Sequence, residues 1–211
     1  MFISICGVEG SGKTTQLKYI ARFLEGTGKK FLMTREPGGT AIGMKIRRIL
    51  LDPENRDLTA KAELFLYAAD RIQHIEQLIL PALREGKIVV TDRFADSTTV
   101  YQGYARGIDL ELVEKINELV LGGLKPNLTI LLDIPPAIGL ARVQNQLQFG
   151  QRTESESRFE QERLGFHEKI RHGFLTLARN EPDRFQVIDA GQHQDKVSED
   201  ILQVLKKALV V

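Results

Sequence analysis

The stretch Gly7-Val8-Glu9-Gly10-Ser11-Gly12-Lys13-Thr14 constrains this chain more than any other feature, because it fits the pattern G-x-x-x-x-G-K-[ST]. It follows a short apolar run, Phe2-Ile3-Ser4-Ile5-Cys6, and opens a helix-length segment at 13–26. Main-chain amides approach a polyphosphate only where side chains do not intervene, which accounts for glycine at 7, 10 and 12. The helix that follows aims its positive end at the same place. Lys13 is suited to bridge the outer phosphates, and the Thr14 hydroxyl to ligate magnesium. The ATP-binding set expected from this loop is Gly7, Val8, Glu9, Gly10, Ser11, Gly12, Lys13, Thr14 and Thr15.

A loop of this kind needs a strand before it and a helix after it, and the rest of the chain continues that alternation. Residues 30–34, 88–91, 128–132 and 185–189 read as further strands. Their near-continuous apolarity suits a parallel sheet covered on both faces. Segments 40–51, 59–84, 109–122, 135–147, 159–180 and 194–208 have helical length, and Pro81 is expected to kink the end of the long one. The expectation is an α/β three-layer α/β/α fold with right-handed crossovers. No linker divides the chain, so 1–211 is expected to be one domain. Within it, 144–162 is polar, rich in glutamine and flanked by helices, and reads as a mobile surface loop or a lid over a site.

Composition narrows the partners. Lys and Arg number 29 against 28 Asp and Glu, a formal charge of +1, which lacks the massed basic face that coating a nucleic acid requires. The single cysteine, Cys6, excludes an internal disulfide or a four-thiolate zinc site, and reads as a small core residue of the first strand. Met1–Val8 is too short and lacks the basic leader of a signal peptide. No segment approaches the roughly 20 apolar residues that cross a bilayer, so a cytoplasmic protein is expected. The four histidines are too scattered for a metal site, and a solvated or capping role is expected for each.

No Asn-Lys-x-Asp base-reading motif is present, which argues against a guanine-nucleotide switch, and a motor usually needs more chain. A kinase acting on a small acceptor fits better. Thr34-Arg-Glu-Pro-Gly-Gly-Thr40 and Val90-Thr-Asp92-Arg93-Phe94 both fall at strand ends, on the edge where ligands of open parallel sheets collect. Asp92 is placed to order the water shell of magnesium, and Arg93 to grip a phosphate or, alternatively, to pair with Asp92 itself. Tyr67 and Arg71 lie one helical turn apart and could stack on and hydrogen-bond a base, or simply pack. Ser97 to Arg106 supplies hydroxyls, an amide and aromatics that suit a polar, uncharged ligand face or a solvated helix.

Taken together, these motifs resemble the bacterial-type thymidylate kinase family, P-loop nucleoside monophosphate kinases. The resemblance runs from Gly7-Val-Glu-Gly-Ser-Gly-Lys-Thr-Thr-Gln16 to Val187-Ile-Asp-Ala190, through Thr34-Arg-Glu-Pro-Gly-Gly-Thr40, Ala68-Ala-Asp-Arg71, Asp92-Arg-Phe-Ala-Asp-Ser97, Tyr101-Gln-Gly-Tyr104 and Arg158-Phe-Glu-x-Glu162. It implies a five-stranded parallel sheet, a homodimer packing helices face to face, and phosphorylation of dTMP to dTDP by ATP with magnesium. It further implies Glu9 near the sugar hydroxyl, with Glu36, Arg47 and Arg93 around the acceptor phosphate. Tyr67, where the family usually has phenylalanine, would stack on thymine, Arg71 would bond its carbonyl, Thr98 and Gln102 would read its edge, and Ser97 belongs to the same substrate-binding set. The Tyr101 ring would crowd a ribose 2′-hydroxyl. The phosphate loop carries Ser11 where some members place a catalytic arginine, so the lid should supply one, Arg158 or else Arg152. Ser157 stands where the family usually has aspartate.

The expected catalytic set is thus Lys13, Asp92, Arg93, Arg158 and Arg152, with metal on Thr14 and, through water, Asp92. A kinase for another deoxynucleotide or a deoxynucleoside, or a non-catalytic nucleotide-binding regulator, would use the same loop.

Overall fold

The computed structural model describes residues 1–149 and 157–210. The five apolar runs form strands β1 (Phe2–Gly7), β2 (Phe31–Arg35), β3 (Ile88–Asp92), β4 (Leu128–Asp133) and β5 (Phe185–Asp189). All pair in parallel, in the order β2-β3-β1-β4-β5. The three central strands are buried almost end to end, so they carry no polar alternation. The edges differ from the expectation of full cover: β2 is half-buried, and β5 exposes Gln186 and Val187. An edge strand has one neighbour, so one of its sides has no strand to cover it.

The helices are α1 (Lys13–Gly26), α2 (Ala41–Leu51), α3 (Ala60–His74), α4 (Leu80–Arg84), α5 (Ala95–Thr98), α6 (Leu110–Leu121), α7 (Pro136–Gln148), α8 (Leu164–Asn180) and α9 (Gln194–Leu209). Thr40, Thr59 and Asp109 cap α2, α3 and α6 by accepting backbone N–H bonds from Gly43, Ala62 and Glu111. The single helix expected over 59–84 is interrupted: Ile75–Ile79 widens into a π-helical turn, closed by the Leu80 N–H on the Ile75 carbonyl. Pro81 has no N–H, and its ring would collide with a carbonyl one turn back, so the chain opens just before it instead of kinking at it. A second wide turn, Thr99–Ala105, continues α5. Helix α8 starts at Leu164, later than the expected 159, because Arg158 and Phe159 turn inward and are buried.

Register places the site. Asp92, the last residue of β3, lies opposite both Ile5 and Arg35, so β2 and β3 end level while β1 runs on two residues to Gly7. The loops after these strands therefore emerge side by side at the carboxyl edge of the sheet, the usual ligand edge of open α/β folds.

Candidate active site

The loop after β1 is shaped by close approach of backbone to backbone. Gly10 has φ +69, and a Cβ there would fall 2.0 Å from the Gly139 carbonyl oxygen on α7. Gly12 has φ +91 with no atom within 4 Å of its missing side chain, so the first turn of α1 faces open space. Lys13 Nζ donates to the carbonyls of Gly7 and Val8 at 3.1 and 3.0 Å, which keeps the ammonium inside the loop. Burial, then the nearby Arg93 charge, pushes its pKa down to about 8.

Arg93 leaves β3 in the left-handed region, at φ +67. Its N–H bonds the Ile5 carbonyl at 2.9 Å and its carbonyl accepts from the Thr91 hydroxyl at 2.9 Å. Such a backbone is costly for a long side chain, and here two hydrogen bonds hold it. The guanidinium thereby crosses to Glu9, with Nη2 at 3.0 Å from Oε1, and lies 4.9 Å over the Tyr101 ring. The partner of Arg93 is thus Glu9; the alternative pairing with Asp92 is not the one formed. Tyr101 donates its hydroxyl to the same Glu9 oxygen, and His167 Nδ1 lies 3.1 Å from the other. Burial alone would raise the Glu9 carboxyl; the His167 bond and the Arg93 and Lys13 charges outweigh it and hold Glu9 below the ordinary carboxylate range.

The loop after β2 is pinned from α2 and α3. Glu36 is buried and accepts from Arg71 Nε and His74 Nδ1, both at 2.8 Å. Arg47 Nη1 donates to the Pro37 carbonyl at 3.0 Å, and Asp70 accepts the Gly38 N–H at 3.0 Å. Arg71 lies 5.5 Å over the Phe94 ring, and its Nη1 reaches Asn117 on α6 at 3.4 Å.

A cleft of about 730 Å³ joins the two loops. It is lined by residues 9–15, Glu36, Arg47, Tyr67, Arg71, Asp92, Arg93, Ser97, Thr98, Tyr101 and Gln102, so most expected site residues meet in one place. Gly7 and Val8 lie buried beneath it. Among the buried polar atoms on residues lining the cleft, Asp92 Oδ1, Arg93 Nη1, Ser97 Oγ and Thr98 Oγ1 have no hydrogen-bond partner among the described residues. Buried polar groups are nearly always satisfied, so these mark where a polar ligand belongs. Asp92 Oδ1 and the exposed Thr14 hydroxyl are hard oxygen donors of the kind magnesium takes. Ala190, Gln192 and Gln194, just after β5, line the far end together with Arg142, whose Nη1 donates to the Ala190 carbonyl at 3.1 Å.

Arg158 stands apart. It is buried, with Nη1 and Nη2 on Glu63 and Nε on the Leu50 carbonyl at 2.9 Å, and it does not line the cleft. Glu63, fully buried, also takes Arg106 and Gln102 Nε2, the latter at 2.8 Å. Arg152 lies outside the described residues. Two expectations about histidine are corrected: His74 and His167 are buried at 0% exposure, hydrogen-bonded to Glu36 and Glu9. His193, just before α9, and His172 are exposed as expected. His167 was legible as a core position, since it repeats with Ile170 and Phe174 on one face of α8. Nothing in the spacing of Glu63, Asp70, Asn117 or Arg142 marks them; tertiary packing alone brings them in.

The family model for thymidylate kinase matches residues 5–201. A thymidylate kinase of Desulfosudis oleivorans is 56% identical over 190 residues, covering 90% of this chain and 89% of that one. A thymidylate kinase of Desulforapulum autotrophicum is 53% identical over 99% of this chain and 92% of its own. The crystal structure of thymidylate kinase from Ehrlichia chaffeensis superposes with a TM-score of 0.77 at 32% identity, covering 98% of each chain. A phosphate loop facing a cleft of unsatisfied polar groups, on a sheet of this order and in a sequence so closely matched, has one reading: the chain belongs to the thymidylate kinase family.

Proposed function

We propose that this chain transfers the γ-phosphoryl group of ATP to the phosphate of dTMP, giving dTDP and ADP, as one kinase domain with a lid over 144–162. The observation that carries this is the set of unsatisfied buried atoms on Asp92, Arg93, Ser97 and Thr98, lining the same cleft as Lys13. A second nucleotide placed there would meet a charged end at Arg93 and Arg47 and a neutral polar end at Ser97 and Thr98. Tyr67 offers a stacking face, and Arg71, held at Nε by Glu36 and at Nη1 by Asn117, keeps Nη2 for a base carbonyl.

The chemistry asks for alignment and charge neutralisation more than for covalent help. The loop amides and Lys13 hold the donor phosphates. Arg93 and Arg47 orient the acceptor phosphate, which is already largely ionised at neutral pH and needs no general base. Magnesium, held by Thr14 and through water by Asp92, would neutralise charge on the donor phosphates. The lid arginine falls to Arg152, because Arg158 reaches the phosphates only by leaving Glu63. The donor base is assigned to the end bounded by Ala190, Gln194 and Arg142.

We also read the protein as a homodimer working on free nucleotides in the cytoplasm. Phe65 and Ile72 on α3, and Leu112 and Leu119 on α6, repeat at seven-residue spacing and are exposed, Leu119 at 84%. Such a face suits a second copy packed helix to helix. No helix among the described residues is long and apolar enough to cross a membrane.

An ADP-release assay across dTMP, dUMP, dCMP, dGMP and thymidine tests the reading. The highest kcat/KM is expected on dTMP. Preference for another acceptor, or ATP binding with no phosphorylated product, overturns it.

A further inference from the structure

The Glu9 carboxylate has a limited number of places left to accept a bond. Oε1 receives Arg93 Nη2 at 3.0 Å and the Tyr101 hydroxyl, which fills both of its lone pairs. Oε2 receives His167 at 3.1 Å and keeps one. Glu9 lines the cleft, so that remaining position is the one a ligand hydroxyl can use.

His167 is 0% exposed on α8, far along the chain from Glu9. An ionised carboxylate only accepts, so His167 Nδ1 carries the proton in this pair. Nε2 is buried with no partner among the described residues. Nδ1 is therefore the ring atom through which His167 acts on a neighbour among the described residues.

We propose that His167 is a positioning residue for acceptor recognition: by holding Glu9 Oε2, it aims the one open lone pair at the acceptor's sugar hydroxyl. For a deoxynucleoside 5′-monophosphate that is the 3′-hydroxyl, the only free one. The inference rests on the placement of Glu9 at the acceptor sugar, and the experiment separates the two.

The readout is the ratio of kcat/KM for dTMP to that for its 3′-deoxy analogue. Glu9→Gln tests the underlying reading: if it leaves the ratio unchanged, Glu9 does not bind the hydroxyl, whatever His167 does. Given a collapse with Glu9→Gln, His167→Phe is expected to lower the ratio about tenfold, the worth of one well-placed hydrogen bond to a charged group. His167→Asn keeps a donor where Nδ1 lies and is expected to retain most of the ratio. His167→Gln moves the donor outward, to where Nε2 lies, and is expected to lose it. The double variant of Glu9→Gln with His167→Phe should fall no further than Glu9→Gln alone. Equal loss on both acceptors in the His167→Phe and His167→Gln proteins would make His167 a packing residue and overturn the proposal. If His167→Phe does not fold, the contrast between Asn and Gln decides: equal ratios in those two overturn it.

Discussion

Replacing Arg158 by methionine separates two roles that one arginine cannot hold at once. In this structure its guanidinium is buried against Glu63 and the Leu50 carbonyl, with the Phe159 ring 4.9 Å away. Removing one member of a buried ion pair costs about 3–5 kcal/mol, because the other is left without its counter-charge. Glu63 keeps Arg106 and Gln102, so the low end applies, about 3 kcal/mol. For a chain of this size each kcal/mol moves Tm by roughly 2–4 °C, so Arg158→Met should lower Tm by about 6–12 °C. The turnover of the folded variant, measured well below that Tm, should stay within about threefold of the parent, since nothing at the reacting phosphates is removed.

A control sharpens this. Replacing Glu63 and Arg158 together by leucine and methionine removes both charges of the pair but leaves Arg106 near the apolar site. Its cost should therefore fall short of the sum of the single changes, a coupling that a double-mutant cycle reads directly. Thermal unfolding followed by circular dichroism, beside steady-state kinetics, measures all of it. An unchanged Tm with kcat reduced tenfold or more would refute the reasoning. Arg158 would then leave Glu63 during turnover and supply the lid charge itself.

Lys13→Ala should reduce kcat by at least about a thousandfold, the scale for removing a preorganised charge, while the unfolding curve stays close to the parent's; near-normal turnover would remove Lys13 from the donor site. Tyr101→Ala should lower the kcat/KM preference for dTMP over the corresponding ribonucleotide by about tenfold, since one ring fills the space a 2′-hydroxyl needs; an unchanged preference excludes Tyr101 from sugar selection. Asp70 is pushed up to about 6 by burial first and then by Glu36, against the Gly38 N–H that holds it back. Its folded pKa lies above the unfolded one, so the native state takes up the proton more readily, and stability falls as pH rises from about 4 to 6. Asp70→Asn should therefore gain about 2–3 kcal/mol at pH 7.5, a gain that vanishes near pH 4. Equal gains at both pH values would show that ionisation is not the cause.

Sequence made the donor half of the cleft legible because its chemistry is local. Gly10, Gly12, Lys13 and Thr14 are neighbours along the chain, and a backbone cradle has to be. Asp92 and Arg93 were nearly as plain, since a strand end in an open sheet points at the site whatever lies around it. What the spacing did not carry is which partner each charge takes. Arg93 turns to Glu9 because its left-handed backbone sends the side chain across β1, and no pattern of apolar residues encodes a single φ angle. Arg158 is the sharper case. Its local sequence suits a mobile lid arginine equally well, and its burial depends on Glu63, distant in sequence, having no water to turn to. An ionised carboxylate at 0% exposure must collect cations from wherever the fold brings them, and it collects Arg158 and Arg106 together with the amide of Gln102. One buried acid thus ties α3 to the wide turn after α5 and to the chain just before α8. Arg158, inside the segment read as a lid, is therefore held by a group outside it.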